Sequence, residues 1–227
     1  VWQINRAGKR IGATETVAIL TGHNDLGELN YDLSICISTM INGCTVKCAM
    51  CASGQSDYKG NLIANEIIDI YSLTVETVKR EHSDYKFATK GQIGFMGIGE
   101  PLLNIPASFE AIKLLMDNSG IDDFKVLFGH ISTVGVVKGI EKLMTYDFGP
   151  QELPALTISL LHTSDDGRAY LAPNTRKLGD LDTLLKQFNR YNENRQFRDS
   201  IRWTPFYEVG KSGEVVEITH AICQAQN

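Results

Sequence analysis

The sequence predicts an α/β fold of parallel βα units preceded by an N-terminal β-hairpin. Short runs of β-branched and apolar residues recur along the chain, and between them lie helix-length stretches with apolar residues at helical spacing. Strands that alternate with helices of this length pair in parallel. The 227 residues, 43% apolar and 22% charged, have an ordinary globular composition and are long enough to bury a full core.

Residues 1–20 read as the hairpin: a strand Val1-Trp2-Gln3-Ile4, a turn through Ala7-Gly8-Lys9-Arg10, and a return strand from Glu15 to Leu20 rich in β-branched and apolar types. A polar loop from Gly22 to Asn30 leads to a short strand, Leu33–Ile37, and then directly to a cysteine-containing loop. A helix over 64–80, opened by Asn65, carries Ile67, Ile68, Tyr71, Val75 and Val78 as its stripe and precedes the strand Gln92–Met96. The second helix, 107–117, presents Phe109, Ile112, Leu115 and Met116 and is followed by the strand Lys125–Ile131. A third helix, 136–144, leads to the strand Ala155–Leu160, then a helical turn at 165–171, a helix over 181–191, the strand Ile201–Phe206 and a last amphipathic stretch from Glu214 to Cys223. That makes five βα units. There is no internal repeat, low-complexity tract or Pro/Gly-rich linker, so the only boundary falls near residue 30, with a hairpin extension over 1–30 and the α/β core over 31–227.

No apolar run approaches the ~20 residues of a membrane span, and no signal peptide opens the chain. The net charge of −5 argues against a protein held to its partner mainly through phosphates. Lys and Arg are scattered, and the loose grouping Arg190, Arg195, Arg198 and Arg202 reads as a solvated helix end and loop.

Cys44-Thr45-Val46-Lys47-Cys48-Ala49-Met50-Cys51 places three thiols as C-x-x-x-C-x-x-C. Three thiolates from one short loop can hold three corners of a 4Fe-4S cluster and leave one iron open to a small ligand. A structural zinc site needs a fourth Cys or His at matching spacing, and none is present. A disulfide framework is disfavoured by the odd count of five cysteines, three of them within eight residues. Unpaired thiols and an oxygen-sensitive cluster place the protein in a reducing cytoplasm.

In parallel βα folds the loops at the strands' C-terminal ends form the active face. The second strand ends in Gly97-Ile98-Gly99-Glu100-Pro101, where glycines admit a ligand and a carboxylate can pair with an ammonium. The third ends at Ser132-Thr133-Val134-Gly135 and the fourth at Ser159-Leu160-Leu161-His162. Taken alone, each serine reads as a helix cap, and His162, His23, His82, His130 and His220 read as surface or core positions.

The cysteine spacing is that of the radical S-adenosylmethionine (SAM) superfamily, which the chain resembles. The resemblance implies a partial parallel (β/α) barrel of radical SAM type with its sixth strand missing. It also implies a 4Fe-4S cluster on Cys44, Cys48 and Cys51 that reductively cleaves SAM to a 5′-deoxyadenosyl radical, and an electron donor such as a flavodoxin or ferredoxin. The barrel edge left open would be covered by a further segment or by a partner chain.

A narrower resemblance covers the chain from about Trp2 to Phe206. The runs Leu33-Ser34-Ile35-Cys36-Ile37-Ser38-Thr39, Met96-Gly97-Ile98-Gly99-Glu100-Pro101-Leu102-Leu103-Asn104, Ile131-Ser132-Thr133-Val134-Gly135-Val136-Val137 and Ile158-Ser159-Leu160, with Arg168 and Pro173, are similar to the radical SAM rRNA/tRNA adenine methyltransferases, the group that includes an antibiotic-resistance ribosomal methylase. Carried over, that pattern sets Gly99, Glu100, Ser132, Ser159, Leu160 and Leu161 around SAM, with Met50 against its adenine. Cys36 falls at the cysteine that bonds to the RNA adenine, eight positions before Cys44, and Glu15 at a proton-accepting carboxylate on the hairpin. The family's second cysteine, in an Ala-Cys-Gly-Gln segment, has no counterpart here; Cys223 reads as core packing on a helix stripe with Val215, Ile218 and Ile222. The implied function is methylation of an adenine carbon in rRNA or tRNA. The alternatives are a radical SAM enzyme acting on another substrate and an incomplete cluster-binding fragment.

Overall fold

A computed structural model describes residues 1–21, 31–82, 87–117, 125–149, 153–194, 207–209 and 215–217. The chain opens with β1 (Trp2–Arg6) and β2 (Lys9–Thr14), an antiparallel hairpin closed by Ala7 and Gly8. Both turn residues have positive φ, 50° and 74°, as a two-residue turn matched to strand twist requires. This early turn corrects the expected hairpin: Lys9–Thr14 is the return strand. The run expected there supplies β3 (Thr16–Thr21), which pairs antiparallel with β4 (Tyr31–Ile37) in the main sheet.

Beyond β4, β5 (Met40–Ile41) pairs with β6 (Gly60–Asn61), and the cysteine loop with its single-turn α1 (Ala52–Gln55) lies between them. Next come α2 (Ala64–Glu81), β7 (Phe87–Phe95), α3 (Ile105–Met116), β8 (Lys125–Thr133), α4 (Val137–Thr145), β9 (Ala155–Ile158), α5 (Asp165–Leu171) and α6 (Leu181–Asn194). The cap of α2 is Ile63 rather than the expected Asn65. Glu66 accepts the Ile63 N–H at 3.0 Å and also binds Arg6 at 2.7 Å, which ties the hairpin to this helix.

The central sheet runs β3-β4-β7-β8-β9, with β4, β7, β8 and β9 parallel and β3 antiparallel at one edge. Among the described residues it is an open, mostly parallel sheet. The strand expected at 201–206 lies outside them, as do 218–223 with Cys223 and the arginines 195, 198 and 202. Val215–Glu217, expected as helix, is instead a strand: it forms β11 against β10 (Tyr207–Val209), in keeping with its paired valines. No helix among the described residues is long and apolar enough to cross a membrane.

The two faces of the sheet differ because successive side chains of a strand point to opposite sides. Leu33, Ile35, Ile37, Ile93, Phe95, Ile131, Leu156 and Ile158 are all buried in the main core. Each such burial stabilises by about 1.5–3 kcal/mol. α2 packs over β3 and β4, and α3 over β8. The alternate positions carry Ser34, Cys36, Gln92, Ser132 and Ser159, all half-buried, with Gln92 donating to Ser34 at 2.8 Å.

Candidate active site at the strand ends

The cysteine loop is shaped by its backbone. Asn42 and Lys47 both take left-handed conformations (φ 62°), Cys44 N–H donates to Ser53 O at 2.8 Å, and Cys51 N–H to Cys48 O at 3.2 Å. Gly54 backs directly onto the loop, since a Cβ there would lie 2.4 Å from Cys48 O. Two bonds tie the loop to the far part of the fold: Ala49 N–H to Leu171 O at 2.7 Å, and Asn174 Nδ2 to Thr45 O at 2.6 Å. Beneath it Met40, Val46, Leu161 and Ala172 form a small apolar bed around Cys44.

Cys44 is buried, Cys48 half-buried and Cys51 exposed, and all are free thiols. Burial pushes the Cys44 thiol up, against the Val46 and Lys47 N–H groups that donate to its sulfur. Cys48 is pushed up to about 12 by burial first, then by the nearby Cys44, Cys51 and Glu100 charges. Thiols crowded in this way ionise when a metal cation supplies the opposing charge. Among the described residues no group of three or more His, Cys, Asp or Glu is arranged to hold a metal ion. The soft all-sulfur donor set, delivered by one loop with N–H groups on its buried sulfur, fits an iron–sulfur cluster.

Beside this loop, the ends of β7, β8 and β9 enclose a cleft of about 170 Å³ lined by Gly97, Gly99, Glu100, Ser132, Thr133 and Ser159, among others. That is less than the roughly 300 Å³ of a pocket that encloses a small molecule, so the cleft suits one end of a larger ligand. Glu100 is 3% exposed. Its Oε1 accepts Leu102 N–H at 3.1 Å, its Oε2 accepts Val134 N–H at 2.9 Å, and the Thr133 hydroxyl is a further partner. Burial outweighs these bonds and raises its pKa to about 7. A carboxylate has about four acceptor positions, which leaves room for one more donor such as an ammonium.

Of the residues expected around SAM, the cleft brings together Gly99, Glu100, Ser132 and Ser159. Leu160 and Leu161 are buried instead, Leu160 in the main core and Leu161 (φ 66°) in the bed under the cysteine loop. Met50 is 49% exposed and does not line the cleft. His162 Nδ1 is engaged by Ser164 N–H at 3.1 Å, so it acts as part of the α5 cap. Cys36 lies on the open face of the sheet, paired with Val17 and Gly94, and burial raises its thiol pKa. Glu15 sits two residues before Val17, lining a separate recess of about 210 Å³ with Thr14, Asn42 and Ile98.

Three supporting residues carry no role in the sequence reading. Ser38 Oγ donates to Glu15 O at 2.7 Å and accepts Ile98 N–H at 2.9 Å, fastening the hairpin junction to the Gly-Ile-Gly-Glu loop. Asn104 Nδ2 holds Thr39 O at 2.9 Å and Leu62 O at 2.8 Å. Arg168, 1% exposed, donates to Val134 O at 3.2 Å and Gly179 O at 3.3 Å. All three lie within or beside the motif runs, but a role as a strut shows only once the distant partner is in place.

No protein-family model matches the chain. It is similar to curated RNA methyltransferases. It is 36% identical over 161 residues to the "Probable dual-specificity RNA methyltransferase RlmN" of Chlorobium phaeobacteroides, a match covering 70% of this chain and 41% of that one. With dual-specificity RNA methyltransferase RlmN 1 of Myxococcus xanthus it is 34% identical over 172 residues, 75% of this chain and 44% of that one. With RlmN of Buchnera aphidicola it is 33% identical over 159 residues, 70% and 42% respectively. The chain thus spans well under half the length of these relatives. On this footing it is a distant homologue of the RlmN dual-specificity RNA methyltransferases, enzymes of the radical SAM family.

Proposed function

We propose that this chain carries the cofactor face of a cytoplasmic radical SAM enzyme that methylates an adenine carbon in rRNA or tRNA, on a partial (β/α) barrel. The observation that carries the reading is the meeting, at one end of a parallel sheet, of the three-thiol loop with the cleft that holds Glu100. Cys44, Cys48 and Cys51 would hold a 4Fe-4S cluster, which supplies the electron that splits SAM's sulfonium bond to give a 5′-deoxyadenosyl radical. Before that cleavage Glu100 would accept SAM's ammonium at its remaining acceptor position, and Gly99, Ser132 and Ser159 would shape the cleft around the methionine end. A flavodoxin or ferredoxin delivers the electron.

Cys36 serves as the thiol that bonds to the RNA adenine, and Glu15 as the carboxylate that accepts a proton. Burial keeps the Cys36 thiol protonated, so it requires a base to become nucleophilic. An adenine base must leave its stack to reach the open face where Cys36 lies.

The test is an anaerobic reaction with reconstituted protein, reductant, methyl-labelled SAM and an rRNA or tRNA substrate. The expected result is 5′-deoxyadenosine together with label in adenine. Formation of 5′-deoxyadenosine without labelled RNA would transfer the chemistry to another substrate, and bound zinc in place of iron and sulfide would remove the radical mechanism altogether.

A further inference from the structure

Four of the Lys and Arg residues that look scattered along the sequence come together in the fold. A groove of about 720 Å³ runs between the turn after Glu100, the start of α4 and the segment after α5. Its floor is apolar, with Leu102, Val136 and Leu178 among the residues, and Lys138, Lys142, Arg176 and Lys177 also line it. Lys138 and Lys142 stand one helical turn apart on α4, while Arg176 and Lys177 come from a short 3-10 helix, Pro173–Lys177. All four are exposed. Among the described residues Lys138, Lys142 and Lys177 form no ion pair, and only Arg176 is paired, with Asp166 at 2.8 Å. The one carboxylate in the lining, Asp180, is already committed to Thr183 N–H and its hydroxyl at 2.8 and 2.9 Å. In a chain of net charge −5, this is a local surplus of positive charge.

We propose that this groove is where the sugar–phosphate backbone of the RNA substrate lies next to the reaction site. The proposal rests on the RNA reading above. Two observations favour RNA over an acidic protein. The first is shape: the basic surface is a concave groove, whereas a protein partner usually meets a broad face of roughly 800 Å². The second is continuity with the cleft: Leu102 lines the groove and donates to Glu100, and Gly179 lines it and accepts from Arg168, which also holds Val134. The lining contains no aromatic side chain. The groove therefore tracks phosphates without stacking bases, and its contribution to binding is independent of sequence.

The test measures how binding of a labelled RNA hairpin, with an adenine in its loop, depends on salt. The full chain is compared with the variants Lys138→Gln, Lys142→Gln and Lys177→Gln, singly and combined, and with Lys79→Gln/Arg80→Gln on α2 as a control. Each groove lysine removed lowers the slope of log affinity against log salt by about 0.7, and the triple change by about 2. The α2 pair leaves the slope unchanged, and SAM cleavage without RNA is the same in all variants. A parent chain that binds no RNA overturns the RNA reading and this proposal together. A parent chain that binds with a steep slope the triple variant retains overturns the groove alone. An unchanged RNA slope with slower reduction by an acidic flavodoxin also overturns it, and assigns the groove to the electron donor.

Discussion

The cysteine loop and the Gly-Ile-Gly-Glu loop leave neighbouring parallel strands, β4 and β7, at the same end of the sheet, yet their reactive groups are treated in opposite ways. The thiols grade from buried Cys44 to exposed Cys51, and the loop that carries them is held by its backbone: Cys44 N–H to Ser53 O, Ala49 N–H to Leu171 O. Glu100 is almost wholly buried and is itself a strut, binding the N–H groups of Leu102 and Val134. One loop is a backbone frame that leaves its sulfurs as free thiols. In the other, the carboxylate proposed to take the ligand is also the group that holds the frame.

The largest expected difference follows from that contrast. Replacing Cys44, Cys48 and Cys51 together by Ala abolishes the iron–sulfur absorbance and EPR signal after anaerobic reconstitution, and SAM cleavage with it. Circular dichroism of the metal-free chain stays close to the parent's. A variant that kept the full iron–sulfur signal would break the comparison at its first term. Glu100→Ala, by contrast, damages both function and fold. It strands one buried and one half-buried N–H group, at about 3 kcal/mol in urea unfolding of the metal-free chain. It also removes SAM cleavage; unchanged stability would show that the carboxylate holds nothing together.

This contrast marks what the sequence could and could not convey. Helices α2 to α6 and the parallel strands β4, β7, β8 and β9 were legible because apolar residues at helical or alternating spacing have one packing solution: Ile67, Tyr71, Val75 and Val78 are all buried. The thiol loop stood out because its three cysteines lie within one short segment. The hairpin's return strand was misread because Lys9–Thr14 carries little β-branched bulk, while the following run from Thr16 carries more. Its register depends on the two-residue turn at Ala7 and Gly8. The double duty of Glu100 was not legible at all, since its partners at Val134 and Thr133 lie more than thirty residues away on another strand. Neither was the basic groove, whose lysines come from two separate segments.

Gly99 tests whether the two loops work as one unit. Its φ of 116° disfavours any side chain, and a Cβ there would lie 2.5 Å from Thr39 Oγ1 and 2.7 Å from Met40, on the approach to the cysteine loop. Gly99→Ala therefore lowers stability by about 3 kcal/mol. Because the displaced residues lead into the thiols, the iron content after reconstitution falls as well. Normal iron content in a destabilised variant would show that the loops are built independently.

The smallest effect is the dependence on pH. Glu100 has its pKa raised by burial from 4.5 to about 7, so the folded chain binds this proton more tightly than the unfolded one. The resulting stability is fully present below pH 4.5 and is lost as pH rises through about 7. Between pH 5 and 7 the metal-free chain should lose about 2 kcal/mol on this account. Glu100→Gln, which has no proton to lose, flattens that slope at the cost of one of the two backbone bonds. The cysteine triple variant should keep the slope, because burial is the largest cause of the shift and no thiol is among its causes. A slope that vanished with the cysteines would place the proton on the thiol loop, and the division of labour between the two loops would then be wrong.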